Sequence, residues 1–260
     1  MSVMARDGRK NGRFYSGGAI PEGERYPSVT TILTAIGKPA LVAWSAKVER
    51  EMVIAKAAEL YMMNASAKKK WDTATFSLKL AELLGKEKAH TKELAKAGEI
   101  GSNIHELIEW SLRAELLEKV GPSPILGEQA QWGYSAFQKW RSRTKLKPVM
   151  VERFVWCHCH KIAGTMDLLA ELDGVVTVCD WKTGKRVYFE AKLQNAAYRH
   201  CVREMGLADP EKGFILRLPK TVGDPDFEPV DAGKEDYYFE RFLHVKNLWE
   251  LMQAEEGGEA

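Results

Sequence analysis

The 260-residue sequence lacks several features that would place it in a specialised class of protein. It contains no apolar run of about 18 residues, the length that indicates a membrane-spanning helix. Its net charge is only +2, so whole-chain charge does not argue for nucleic-acid binding. The basic segment 1–15 has no apolar stretch of the kind that marks a secretory signal. These absences predict a globular cytoplasmic protein with no membrane partner.

Cysteine is also scarce, with four residues and no CxxC spacing, which argues against a disulfide framework. The cluster Cys157-His158-Cys159-His160 contains residue types that bind zinc. On a strand, however, its cysteines would face one way and its histidines the other, so we expect no zinc site there. Gly184-Lys185 lacks the glycine spacing and the following Ser or Thr of a P-loop, so we expect no ATP requirement.

What the chain does contain is a change from helical to strand patterns near Pro148. Residues 1–26 are polar and glycine-rich, which predicts a flexible arm, and we expect a single domain over 27–260. Its helical region would be 27–147 and its sheet with flanking helices 148–254. Periodicity predicts helices at about 41–64, 73–85, 90–119, 127–145, 189–205 and 234–254, and strands at 149–156, 162–172, 175–182, 213–218 and 227–230. The pattern indicates an α/β (α+β) fold.

The most informative motif is Asp180-Trp181-Lys182, at the end of an apolar strand. Alternation places Asp180 and Lys182 on one face of the strand and Trp181 on the other. Asp167 closes a similar stretch thirteen residues upstream. Two carboxylates, with the backbone carbonyl of Trp181, could hold a hard cation, and the lysine could contact a phosphate. Taken alone, such a motif usually belongs to a hairpin with an exposed, salt-bridged surface, so the neighbouring motifs must decide.

Four further side chains could belong to the same site. His105, on a helix, could complete a metal site, particularly for Mn²⁺, although a lone helical histidine is usually structural. Gln194 and Tyr198 lie four residues apart on one helix face and could contact a phosphate, or Tyr198 could pack into the core. Glu152 could hold a second metal or orient water, or be a surface carboxylate. Lys185 is a candidate phosphate contact.

The order of these motifs along the chain resembles the PD-(D/E)XK nuclease superfamily, in its RecB-like exonuclease branch. The motifs are Gly101…His105, Glu152, Gly164-Thr165-Met166-Asp167, Asp180-Trp181-Lys182-Thr183-Gly184 and Gln194…Tyr198. The resemblance implies a restriction-endonuclease-like αβββαβ core, a mixed sheet flanked by helices. It also implies that His105, Asp167 and Asp180 hold Mg²⁺ or Mn²⁺, that Lys182 assists the attacking water, and that Gln194 and Tyr198 help seat DNA. Some members carry an iron–sulfur cluster held by one cysteine before the core and three after it. This chain has no cysteine before Cys157 and only Cys201 after the last motif, so we expect no such cluster.

The segment Pro27-Ser28-Val29-Thr30-Thr31-Ile32-Leu33, with Trp44 beyond it, narrows the resemblance. It is similar to the N-terminal motif of mitochondrial genome maintenance exonucleases and their phage relatives. This implies that Ser28 and Thr30 lie near DNA and that the helical region shapes a passage for a single strand.

We therefore expect a metal-dependent exodeoxyribonuclease acting on single-stranded DNA or DNA ends. Its setting would be phage or bacterial replication, repair or recombination, in the cytoplasm of a bacterial cell or phage-infected host, with replication or recombination proteins as candidate partners. One alternative is a recombination exonuclease that resects duplex ends. Another is a non-catalytic nucleic-acid-binding module on the same fold, against which the intact Asp167, Asp180 and Lys182 argue.

Overall fold

The structure, a computed structural model, describes residues 5–7, 12–68, 70–125, 127–221 and 223–257. It divides into two compact units, one formed by Met1–Ile36 with Ile100–Ala260 and the other by Gly37–Glu99. The prediction of a single domain over 27–260, with a helical region over 27–147, stays a prediction. The helices after residue 100 bury their apolar faces against the sheet.

The larger unit is built on a five-stranded mixed sheet, as the sequence predicted. Its strands, in spatial and chain order, are β4 Leu146–Cys157, β5 Ile162–Leu172, β6 Val175–Lys182, β7 Lys212–Arg217 and β8 Glu228–Asp231. All neighbours are antiparallel except β6 and β7. A parallel pair requires a crossover, which α6 Phe189–Glu204 supplies. The turn between β5 and β6 has positive φ at Asp173 and Gly174, as a tight Asp-Gly hairpin requires.

Helices cover both faces of this sheet, so its central strands are apolar on both sides. On one face Leu169 and Val178 pack with α6, with α7 Glu235–Gly257 and with the short helix α1 Val29–Ile32, which leads into a 3₁₀ turn at Leu33–Ala35. On the other, Leu168 and Cys179 pack with α4 Ala89–Glu115 and α5 Glu128–Arg141. Successive residues of one strand thus enter opposite cores, which is the period of two that defines a strand.

The segment before residue 27 contains strands and buried side chains. The prediction of a flexible arm over 1–26 falls in part on residues 1–4 and 8–11, which lie outside the described residues, and it stays a prediction. A small antiparallel sheet contains β1 Ala5–Asp7, β2 Phe14–Ser16 and β3 Tyr26–Pro27. Tyr15, Ile20 and Tyr26 are buried against Ala163 of β5. These aromatic and aliphatic side chains remove apolar surface from water, a contribution that the high glycine content of the segment concealed.

The smaller unit is helical. It contains α2 Pro39–Ser66, α3 Thr73–Leu84 and the beginning of α4. Asp72 caps α3 by accepting a 2.7 Å hydrogen bond from the Thr75 amide, and Glu49 lies 2.7 Å from Nδ1 of His90. Over the described residues, no single helix is long and apolar enough to cross a membrane; Val29–Ala35 and Pro39–Ser66 reach that length and composition only when counted together.

Candidate active site

The candidate site lies where β5 and β6 separate. Their pairing runs from Leu172–Val175 to Leu168–Cys179. Beyond that point the amide of Trp181 donates a 2.7 Å hydrogen bond to Oδ2 of Asp167. The other edge of β6 continues in register with β7 as far as Lys182. Because the strands separate here, the Asp167 side chain can reach a backbone donor of β6. Asp167 and Asp180 both lie just beyond the last paired residues of the two strands.

Three side chains from three elements form a group that could hold a metal ion. His105 of α4, Glu152 of β4 and Asp167 of β5 each offer one ligand atom, and these atoms lie within 4.8 Å of one another. Nδ1 of His105 is 3.7 Å from Oδ2 of Asp167. Glu152 has a φ of 46°, a left-handed conformation that is costly for a non-glycine residue and is common at functional sites. The structure thus places Glu152, whose role the sequence left open, inside the acidic group.

Asp180 lies beside this group and is almost completely buried, with 1% exposure. Its Oδ2 is 2.6 Å from Nζ of Lys182, and Nζ also donates a 3.0 Å hydrogen bond to Oε1 of Gln194. Its Oδ1 has no hydrogen-bond partner among the described residues. A buried carboxylate oxygen without a donor is unfavourable, and a divalent cation would satisfy it. The site therefore fits a hard cation through oxygen donors and one imidazole.

Burial and neighbouring charges shift the pKa values of the side chains in the site. Burial raises the pKa of Asp180 to about 6, although Lys182 opposes the shift. Burial, followed by repulsion from Asp167 and Glu109, raises the pKa of Glu152 to about 8. Burial and the charge of Lys182 lower the pKa of His105 to about 4. The imidazole is therefore neutral near pH 7 and able to act as a ligand, while the carboxylates repel one another.

Lys182, Gln194 and Tyr198 are linked by successive hydrogen bonds, and Gln194 and Tyr198 do not share one exposed surface. Nε2 of Gln194 donates a 3.4 Å hydrogen bond to the hydroxyl of Tyr198, which is only 3% exposed. A Cβ at Gly164 would lie 2.6 Å from a ring carbon of Tyr198, so the ring needs the glycine of the Gly164-to-Asp167 motif. Tyr198 therefore supports the side-chain amide of Gln194, and its contact with DNA stays a prediction.

The other predicted DNA contacts also differ in exposure. Ser28, 1% exposed, is the N-cap of α1, accepting a 2.9 Å hydrogen bond from the Thr31 amide and donating one to the Thr31 hydroxyl. The Ser28 hydroxyl is hydrogen-bonded within the helix, and its contact with DNA stays a prediction. Thr30 and Lys185 are exposed, and their contact with DNA stays a prediction.

The structure adds two features to the site that the sequence predicted: the carboxylate of Glu109 and the close approach at Gly101. Glu109, one helical turn after His105, raises the pKa values of Glu152 and Asp167 and accepts a 2.8 Å hydrogen bond from Arg113. The i, i+4 spacing from His105 was the available signal. At Gly101, a Cβ would lie 2.7 Å from the hydroxyl of Thr183. This glycine therefore lets α4 approach the end of β6 closely enough to present His105.

Comparison with known proteins identifies the family of the chain. Residues 63–258 match the model of the PD-(D/E)XK nuclease superfamily. No curated protein matches the chain. A solved structure of a candidate exonuclease from Eubacterium rectale is 17% identical, with a TM-score of 0.45, over 74% of this chain and 77% of that one. The structure of SSO0001 is 17% identical, with a TM-score of 0.28, over 56% and 73%. The family match includes every side chain of the group around Asp167.

Proposed function

Because this chain belongs to the PD-(D/E)XK nuclease superfamily, we propose that it is a Mg²⁺- or Mn²⁺-dependent exodeoxyribonuclease. Its substrate would be single-stranded DNA or DNA ends. The observation that carries the proposal is the convergence of His105, Glu152 and Asp167 within 4.8 Å, beside the buried Asp180. Oxygen donors with a single imidazole favour Mg²⁺ or Mn²⁺ over softer metals.

The proposed division of roles follows from the contacts. Asp167, Asp180, Glu152 and His105, with the carbonyl of Trp181, would hold the cation. When bound, the cation would supply charge neutralisation at the phosphate and make water more acidic. Lys182 is fixed between Asp180 and Gln194, so its ammonium is pre-oriented towards the site. There it orients the attacking water and stabilises the negative charge that develops on the phosphate. Gln194, supported by Tyr198, keeps that ammonium in place.

The DNA-binding part of the proposal rests on the segment that resembles the genome maintenance exonucleases. Ser28 forms a bridge with Ala163, four residues before Asp167 on β5 and about 13 Å from it along the strand. The exposed Thr30 of this segment and the exposed Lys185 after β6 are the proposed contacts with the DNA backbone. We further propose a role in phage or bacterial DNA replication, repair or recombination in the cytoplasm, alongside proteins of those processes.

End-labelled and circular substrates test the proposal directly. Wild-type protein with Mg²⁺ should shorten linear single strands labelled at either the 5′ or the 3′ end and leave a closed single-stranded circle intact. Lys182→Ala should degrade the linear strands roughly 10²- to 10³-fold more slowly and should also leave the circle intact. Lys212→Ala is the matched control, because Lys212 lies at the start of β7, paired with Thr177 and remote from the catalytic end of β6. It should retain wild-type rates.

Three other results would contradict the proposal or favour one of the alternatives. Rapid cutting of the circle would contradict exonuclease action. Digestion of duplex ends with no digestion of single strands would favour the duplex-resecting enzyme. Binding of DNA without any metal-dependent cleavage would favour a non-catalytic module.

A further inference from the structure

A second group of potential metal ligands lies at the other end of the β4–β5 hairpin. Cys157 ends β4, Cys159 and His160 follow in the turn, and His200 projects from α6. One ligand atom from each residue lies within 4.8 Å of all the others. The two sulfur atoms are 3.3 Å apart.

This convergence overturns the sequence argument against a zinc site. That argument assumed an extended strand, but the chain turns after Cys157, so alternation no longer separates the side chains. His158 is the residue that leaves the group, because its Nδ1 lies 2.9 Å from the hydroxyl of Tyr26. The fourth ligand of the group is instead His200 of α6. It lies forty residues after His160, so sequence spacing did not indicate that it approaches the turn.

The donor set suits zinc. Two thiols and two imidazoles form a common four-ligand structural site. Zinc–sulfur distances of about 2.3 Å and zinc–nitrogen distances of about 2.0 Å place tetrahedral ligand atoms about 3.3 to 3.8 Å apart. The mutual spacing within 4.8 Å requires only small side-chain movements to meet this geometry. Four protein donors leave no open position, which is typical of a structural and not a catalytic zinc site.

An unpartnered nitrogen gives an independent indication of a ligand. Nε2 of His200 is buried and has no hydrogen-bond partner within the described part of the chain. It lies 4.0 Å from Oε2 of Glu204, the oxygen that accepts hydrogen bonds of 2.7 Å from Cys157 and 2.9 Å from Cys159. The nitrogen therefore lies close to the thiols. The His200 ring stacks on Phe239, with 3.9 Å between the ring centroids.

The carboxylate of Glu204 lies against both thiols. It accepts hydrogen bonds of 2.7 Å from Cys157 and 2.9 Å from Cys159, and one of 2.6 Å from the amide of His158. These contacts fix the carboxylate beside the two sulfur atoms. Binding of one Zn²⁺ would release the two thiol protons to solvent and leave the amide hydrogen bonds to Glu204 in place. A cavity of about 940 Å³, lined in part by Cys159, His200 and Glu204, gives access from solvent.

We propose that Cys157, Cys159, His160 and His200 bind one structural Zn²⁺ ion that fastens the β4–β5 turn to α6. The same helix carries Gln194 six residues earlier, about 9 Å along the axis. The zinc would therefore stabilise the helix that positions the Lys182 partner, without taking part in the nuclease chemistry.

Metal analysis of the intact protein tests this assignment. Protein expressed with added zinc and purified under reducing conditions should contain one equivalent per chain. Cys159→Ser and His200→Gln should lose it. His158→Gln is the matched control in the same turn, and Asp180→Asn separates this site from the nuclease site; both should keep the zinc. Zinc that survives Cys159→Ser and His200→Gln but is lost from Asp180→Asn would overturn the proposal.

A second measurement does not depend on the variants folding. A mercurial that blocks thiols should release the zinc of the wild-type protein to a chromogenic chelator. Cobalt-substituted protein should show thiolate-to-cobalt charge transfer and the visible bands of tetrahedral cobalt. The assignment would be overturned if the wild-type protein took up no zinc under reducing conditions. It would also be overturned if only two thiols were free after denaturation without reductant, because that count indicates a disulfide.

Discussion

The two ligand groups share the same scaffold but differ in chemistry. One uses Glu152 of β4 and Asp167 of β5 at the point where strands separate; the other uses Cys157 of β4 and His160 at the turn that joins those strands. Helix α6 contributes Gln194 near the first and His200 to the second. Oxygen-rich ligands favour hard cations, whereas thiols and imidazoles favour zinc. A single hairpin and helix can therefore support both, because position along the strand decides which donors meet.

The two groups differ in how their carboxylates are held. At the nuclease site, burial and mutual repulsion raise the pKa values of Glu152, Asp167 and Asp180. At the cysteine–histidine group, hydrogen bonds lower the pKa of Glu204 despite its burial. The nuclease carboxylates therefore repel one another, whereas the Glu204 carboxylate accepts hydrogen bonds from both thiols and from the amides of His158 and Cys159. This difference predicts that Mg²⁺ binding and zinc binding can be lost independently.

The largest expected effect is on catalysis. Lys182→Ala removes the ammonium between Asp180 and Gln194 and should lower the rate of DNA cleavage by roughly 10²- to 10³-fold. Zinc content should remain unchanged, because the residue does not contact the cysteine–histidine group. Single-turnover cleavage assays and metal analysis on the same sample measure both. A variant that also lost zinc would show that the two sites are not independent.

A packing change at Gly164 should destabilise the scaffold of β5 and α6 that the two ligand groups share. Gly164→Ala places a methyl group against the Tyr198 ring and should reduce the free energy of unfolding by about 1–3 kcal/mol, because neither β5 nor α6 has room for it. Urea unfolding measures the loss. Adding Tyr198→Ala should recover part of the Gly164→Ala penalty, measured against the Tyr198→Ala single variant. No recovery would mean that the cost arises elsewhere than at this contact.

The pH dependence of metal-free protein tests the strain at the nuclease site. Since the pKa of Glu152 rises from 4.5 to about 8, folding favours its protonated form. The stabilisation is complete below pH 4.5 and is lost as pH rises through 8. Glu152→Gln should therefore gain thermal stability relative to wild type across that interval in the presence of a chelator. Mg²⁺ should reduce the difference by favouring the ionised wild-type side chain. A difference in melting temperature between the two proteins that stays constant from pH 5 to pH 9 would contradict the raised pKa of Glu152.

The smallest expected effect concerns DNA binding alone. Lys185→Ala should reduce the slope of log affinity against log salt by about 0.7 for single-stranded DNA, the contribution of one phosphate contact. Zinc content, fold and the rate at saturating DNA should not change. An unaltered salt slope would remove Lys185 from the proposed interface.

Much of the fold was predictable, because the strands are apolar and their turns are explicit. β5 and β6 occupy the predicted ranges, with Asp173-Gly174 between them. The small sheet before residue 27 was not predictable from so short and polar a segment. Its stability comes from Tyr15, Ile20 and Tyr26 packing on Ala163, a contact between residues far apart in sequence.

The sequence by itself determined the superfamily motifs and the chemical types at the nuclease site, because strand alternation fixes the faces of Asp180 and Lys182. Only the tertiary structure decided which side chains meet. It brought Glu152 to Asp167, buried Ser28 and Tyr198, and replaced His158 by His200 beside two cysteines. Local periodicity specifies the direction of a side chain along one element. Proximity between elements depends on where strands separate, where a turn reverses and how a helix packs, and these are properties of the whole fold.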